Sequence, residues 1–273
     1  MTTVHCAPTG GLARTVSACA AILRRDLRGV LRSRSQLYSS LLFPLMLLAV
    51  LGTGVSHGLD PSSERIRNGD YESFLVPGLV VMTALFSSTF TSASYYQDRD
   101  SSLLRVMLAS PNSPQVILLG KALAGVVIGS MQAMALLAVA SLIPGINLEW
   151  QHGFLPGIML ALIAVLLLAV FLNGFAQIMA SRIRTMSGFH LVMNLLLFPL
   201  LFFSGAFFPL GDLPIWLKVL ATANPLSYAV DLLSIAVYTS DNGHFGLLID
   251  LIVIGGLAPA IFLLGIGRRV QIP

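Results

Sequence analysis

Four long stretches of this chain, Phe74–Tyr95, Val116–Ile143, Phe154–Ala180 and Phe189–Phe208, contain no Asp, Glu or Arg, and Lys121 is their only lysine. A soluble helix cannot keep that composition over about 20 residues, because one side of it must be solvated. Lipid is the solvent that fits. A bilayer core of about 30 Å asks for about 20 mainly apolar residues per spanning helix. Leu37–Val55 and Phe245–Gly267 are two further runs of that kind, so six transmembrane helices are expected. Of the 273 residues 56% are hydrophobic and 10% charged, too few charges to clothe a soluble domain.

Basic residues stay on the cytoplasmic side of a membrane, and their positions set the orientation. Arg14, Arg24, Arg25, Arg28, Arg32 and Arg34 precede the first span. Arg99, Arg105 and Lys121 lie around the connection from the second span to the third. Arg182 and Arg184 follow the fourth span, and Arg268 and Arg269 follow the sixth. The other side has only Arg65, Arg67 and Lys218. Both termini are therefore expected in the cytoplasm, with residues 1–36 forming a cytoplasmic N-terminal segment and 37–273 the six-helix transmembrane domain. The net charge of +4 follows from this anchoring and needs no nucleic acid as partner. The first apolar run begins after the arginine-rich segment, too late for a cleaved secretory signal.

Within the N-terminal segment Val16, Ala20, Leu23, Leu27 and Val30 recur at helical spacing among arginines, the pattern of an amphipathic helix lying at the membrane surface. Between Tyr96 and Gln115, Asp98, Asp100 and Ser101 are placed to open a short cytoplasmic helix. Leu104, Met107 and Leu108 share its face, and Pro111 and Pro114 end it. Such an apolar ridge suits a groove on another protein, or the chain's own interfacial helix. On the outer side, the stretch from Pro209 to Asn242 is too apolar for a solvated loop and too interrupted for a span. Pro214 starts one short helix, and Asn224 with Pro225 starts another. Two short re-entrant helices dipping into the outer leaflet are expected, with Trp216 at the interface; the alternative is two helices flat on the surface.

No phosphate-binding loop of the form G-x-x-x-x-G-K-[ST] is present: Gly120-Lys121 is followed by Ala122 and preceded by Gln115 in place of the first glycine. Asp250, in the first turns of the last span, is the sole acid inside a span and is expected to reach headgroups or water. His190, Asn194, Asn173 and Gln177 fit interhelical hydrogen bonding better than a proton relay. Gly125-x-x-x-Gly129 permits close helix packing, within one chain or between chains. Phe86, Ser87, Phe90, Asn194, Phe202 and Phe203 are candidates to line a substrate path. Cys6 and Cys19 have neither metal-ligand nor disulfide spacing.

Two blocks are more specific. One is Ser204-Gly205-Ala206-Phe207-Phe208-Pro209-Leu210, then Leu213-Pro214-Ile215-Trp216-Leu217, ending in Asn224-Pro225-Leu226-Ser227-Tyr228-Ala229-Val230-Asp231. The other is Asp98-Arg99-Asp100, Leu103-Leu104, Ala109-Ser110-Pro111 and Leu119-Gly120-Lys121. Together they resemble the ABC-2-type transporter permeases, in particular the drug-resistance and nodulation-factor export branch, from about Arg24 to Arg269. The resemblance implies an all-α integral membrane protein with six transmembrane helices, an N-terminal interfacial helix, a cytoplasmic coupling helix and two short re-entrant helices before the last span. It implies a permease subunit in a bacterial inner membrane. A second permease chain pairs with it as homodimer or heterodimer, and two ABC ATPase subunits bind ATP and Mg, while this chain binds no cofactor and is no enzyme. Asp98, Arg99, Asp100, Leu104, Arg105, Met107 and Leu108 would couple to the ATPase; Pro214, Trp216, Asn224, Pro225 and Asp231 would build the re-entrant pair. A lipid-like or drug-like amphiphile is the expected substrate, with glycolipid or polysaccharide export as the alternative. An ion-coupled carrier is a weaker one, given the scarcity of intramembrane acids. An intramembrane enzyme ranks last, since His5, His57, His152, His190 and His244 are scattered over both sides.

Overall fold

The computed structural model describes residues 11–56, 71–101, 103–108, 113–143, 146, 148, 150, 153–183, 185–210, 214–238 and 244–267. Arg65, Arg67, Arg184, Arg268 and Arg269, and the side chains of Leu104, Arg105 and Leu108, lie outside what is described. The described residues form ten helices and no strand: α1 Gly11–Arg32, α2 Arg34–Ser56, α3 Tyr71–Asp100, α4 Leu103–Leu108, α5 Pro114–Ala140, α6 Phe154–Ala180, α7 Met186–Phe202, α8 Ile215–Ala223, α9 Pro225–Val237 and α10 Leu247–Gly267.

Helix α3 is the central post. It packs on α2, α5, α6, α7 and α9, and most of its residues are buried. Around it α5 and α6 pair with each other, and α10 lies along α6 and α9. Between apolar helices in lipid there is little hydrophobic drive to associate, so small residues that let backbones approach carry the packing. Gly174 of α6 faces the backbone of α10: a Cβ there would stand 2.6 Å from the Phe262 Cα. Gly125 faces Asn173 of α6, and Gly129 lies beside Ser87 of α3 and Ala169 of α6. The Gly125-x-x-x-Gly129 pair thus serves contacts inside the chain. Replacing Gly174 with alanine forces backbone against backbone, and an overpacking loss of about 1–3 kcal/mol is expected. A lowered thermal unfolding midpoint of the detergent-purified protein would register it.

Four helices, α3, α5, α6 and α10, are long and apolar enough to cross a membrane; the bent pair α8–α9 is a fifth candidate if taken as one broken span. The run expected to span 189–208 is helical only to Phe202, giving α7 17 residues. That is about 26 Å of helix at 1.5 Å per residue. Beyond it the chain turns through Gly205, whose φ of 81° suits glycine. The apolar part of α2, Ser40–Gly52, is likewise short.

Helix α1 lies against α5. Val30 packs with Ala124 and Ile128, flanked by Leu23 and Leu27, and Ile22 rests on Gly120. Val16 and Ala20, assigned to the same apolar face from their spacing, are exposed instead. The contact runs along Ile22, Asp26 and Val30, a stripe rotated from the expected one and including an acid.

Candidate functional site

Charged side chains of α1, α3 and α5 come together at one place inside the bundle. Lys121 sits two turns into α5, with its side chain only 6% exposed. Its ammonium contacts the Asp98 carboxylate of α3 and donates to Ser94 Oγ at 3.2 Å. Asp26 Oδ2, from α1, is 3.8 Å away. Arg25 completes the set, its Nη2 donating to Asp26 Oδ1 and to Asp98 Oδ2 at 2.6 Å each, and its Nε to Asp26 Oδ1 at 2.8 Å. Two acids and two bases from three helices make a neutral quartet. The Asp26 and Asp98 side chains are 8% and 13% exposed, and buried charge at that depth persists only in such partnership. Burial opposes the Arg25 charge, but the hydrogen bonds it donates to Asp98 and Asp26 outweigh it and hold its pKa above the ordinary guanidinium value.

The short helix α4 joins this quartet. Arg25 Nη1 donates to Met107 Sδ at 3.8 Å, while Leu103 and Val106 are exposed, Val106 to 67%. Met107, expected on the ridge that meets a partner, therefore faces the chain's own α1, while Leu103 and Val106 face outward. The capping role expected for Asp98, Asp100 and Ser101 is corrected by the geometry. Asp98 and Asp100 close α3, which runs to Asp100, and the Asp98 carboxylate is taken by Arg25 and Lys121. Ser101 Oγ donates back to the Asp98 carbonyl at 3.3 Å. Arg99 lies 3.9 Å from Asp100 and over the Tyr96 ring. Tyr96 in turn donates to the Ala180 and Ile183 carbonyls, tying the end of α3 to the turn between α6 and α7. Beside the quartet a cavity of about 670 Å³ is walled by Asp26, Asp98, Phe90, Leu103 and Met186.

At the opposite end of the bundle, α8 meets α9 at 88°. The corner is Asn224. Its Oδ1 accepts from the Leu226 amide at 3.0 Å, and its Nδ2 donates to the Leu200 carbonyl at 2.5 Å, one of the carbonyls that the end of α7 leaves open. From there α9 inserts among α3, α6, α7 and α10 and is buried on nearly every side. Helix α8, opened at Pro214, turns Ile215, Trp216, Val219 and Leu220 outward. Asp231 of α9 accepts from the amides of His244 and Phe245 at 2.8 Å each, fixing the lead into α10. Asp250 reaches neither headgroups nor water: it is 0% exposed.

The candidate path residues separate into groups. Phe86 packs edge-on to Phe43 of α2 and Phe198 of α7, at 5.8 Å each, and Phe90 lies 6.1 Å from the His190 ring. Asn194 is exposed on α7, and Phe202 and Phe203 are exposed at its end. Ser87 is buried next to Gly129, away from that aromatic face. Thr83, Thr89 and Thr91 donate to their own helix carbonyls four residues back. Among the described residues no three His, Cys, Asp or Glu side chains converge as a metal would require.

Residues 17–238 match the family described as ABC-2 type transporter. The chain belongs to that family. Among its relatives, the Escherichia coli (strain K12) protein named probable multidrug ABC transporter permease YbhR is 28% identical over 166 residues, covering 60% of this chain and 44% of that protein. The chain thus spans less than half the length of this relative. Nodulation protein J of Sinorhizobium fredii is 25% identical over 218 residues, covering 79% and 80% of the two chains. Daunorubicin resistance ABC transporter permease protein DrrB1 of Streptomyces coeruleorubidus is 25% identical over 217 residues, covering 80% and 74%. In this member of the ABC-2 type transporter family the quartet is the feature that sequence reading missed. Asp26 interrupts the apolar stripe Ile22–Val30, and Lys121 interrupts an otherwise chargeless run. Two opposite charges, each out of place in an apolar surface, were the available signal.

Proposed function

We propose that this chain is the permease subunit of an ABC exporter in a bacterial inner membrane, moving a lipid-like or drug-like amphiphile outward with ATP hydrolysed by a separate pair of ATPase subunits. The observation that carries this reading is the attachment of α4 to the bundle. The helix presents the exposed Leu103 and Val106 on one side, while Met107 contacts Arg25 of the quartet. A groove on an ATPase that receives α4 would thereby move α1, α3 and α5 together. Leu104 and Leu108 are assigned to the same docking helix from their spacing, and Arg99 and Arg105 from the family resemblance. A second permease chain pairs on the exposed apolar faces of α2, at Leu42 and Met46, and of α7, where Leu191 and Leu195 flank the exposed Asn194. A polar amide on an apolar exposed face favours a protein or water neighbour over lipid. The path runs along Phe86, Phe90, Phe202 and Phe203, with α8 and α9 as the re-entrant pair at its outer end.

In this reading α2, α3, α5, α6, α7 and α10 cross the membrane, α1 lies on its cytoplasmic surface and both termini are inside. Cysteines introduced at Glu64 and Asn242 are then expected to react with an impermeant maleimide in intact cells, and one at Thr185 only after permeabilisation. Labelling of Thr185 from outside would overturn the topology. The purified chain alone is expected to hydrolyse no ATP, and the complex with its ATPase partner to do so. Sustained hydrolysis by the chain without that partner would refute the division of labour.

A further inference from the structure

Asp250 is a carboxyl group with nothing to receive. Its side chain is wholly buried, and no donor of the described protein reaches either oxygen. The group within hydrogen-bonding reach is another carboxyl, that of Asp231. Asp231 is already served: the His244 amide donates to one of its oxygens and the Phe245 amide to the other. Two acceptors in contact, one satisfied as an anion and one orphaned, cannot both be ionised without like charges meeting away from water. A single proton turns that contact into a hydrogen bond.

We infer that Asp231 and Asp250 form a proton-binding site, in which Asp250 is the carboxylic acid and donates its proton to the Asp231 carboxylate, fastening α9 to the start of α10. Nothing else among the described residues can take the part of that proton. Helix α9 supplies only Tyr228 and Asp231 as titratable groups, and the Tyr228 hydroxyl donates to the Thr222 carbonyl at 2.7 Å. Helix α6, packed along α10, carries no titratable side chain; the one charge of α5 is Lys121, engaged at the other end of the bundle. His244 turns its backbone amide, not its ring, to Asp231. Parting α9 from α10 hydrates both carboxyls and releases the shared proton to the surrounding water, leaving two carboxylates. Rejoining them requires a proton to return. Opening at this seam is thus linked to proton release.

The test is infrared spectroscopy of the full chain, purified in lipid nanodiscs and labelled with carboxyl-13C aspartate, at neutral pH. A carbonyl band of a protonated carboxylic acid, shifted by the label, is expected in the wild type and lost in Asp250→Asn. The Asn amide can donate to Asp231 in the proton's place, so this variant is expected to fold and to keep its thermal unfolding midpoint. Circular dichroism checks the fold. Absence of the band from the folded wild type, or its survival in folded Asp250→Asn, would overturn the inference. Should Asp250→Asn fail to fold, Asp250→Glu with the same label decides. The shared proton then sits on an unlabelled glutamic acid, so the acid band is expected to remain but to lose its shift with the label, and a band still shifted by labelled aspartate would count against the shared proton.

Discussion

Replacing Lys121 with methionine is expected to destabilise the protein by about 3–5 kcal/mol, the range found when one member of a buried ion pair is removed. The methionine fits the volume but leaves Asp26 and Asp98 with Arg25 as their only cation among the described residues, in a site where all but Arg25 are nearly closed to water. Urea or thermal unfolding of the purified chain measures the loss. Cleavage within α1 by an added protease reports it locally, because the quartet is a main polar tie between α1 and α5. The double replacement Lys121→Met with Asp98→Asn removes one charge of each sign and leaves the Arg25–Asp26 pair intact. It is expected to be less damaging than Lys121→Met alone. A coupling energy near zero in that double-mutant cycle would mean the two groups do not act as a pair.

Val106→Asp is expected to separate the chain from its ATPase partner without disturbing the fold. Val106 is exposed in the isolated chain, so an aspartate there costs little until a partner covers it. Burying a valine is worth about 1.5–3 kcal/mol, and an unpaired carboxylate in its place adds a desolvation penalty. A loss of even ~3 kcal/mol weakens association more than about a hundredfold. Co-purification with the ATPase and ATP-dependent transport should both fail, while membrane insertion remains normal. If Val106→Asp keeps its ATPase bound and still transports, α4 is not the docking element, and the arginine-rich outer face of α1 becomes the place to look.

Much of the helical framework is legible in the residues because lipid imposes a rule on every turn. An apolar run of about 20 residues has few alternatives to a helix. So α3, α5, α6 and α10 lie where hydropathy puts them, and Asn224 caps α9 as its neighbour Pro225 foretells. The end of α7 was not legible: Phe203 to Phe208 are as apolar as the helix before them. What stops it is a backbone turn at Gly205 against Leu210, a contact that periodicity does not encode.

The sequence by itself determined the family resemblance, the charge asymmetry and the amphipathic character of α1, because these depend on residue type and local spacing alone. Only the tertiary structure decided which charges meet. Asp26, Asp98 and Lys121 are far apart along the chain, and each looks like a separate local feature: an acid among arginines, a helix cap, a snorkelling lysine. Packing Ile22 and Val30 of α1 against α5 brings the three together with Arg25. In the same way Asp231 and Asp250 face each other because α9 is buried against α10. Buried charge is costly when alone and stable when paired, so the meaning of each ionisable residue here rests on a neighbour that only the fold supplies.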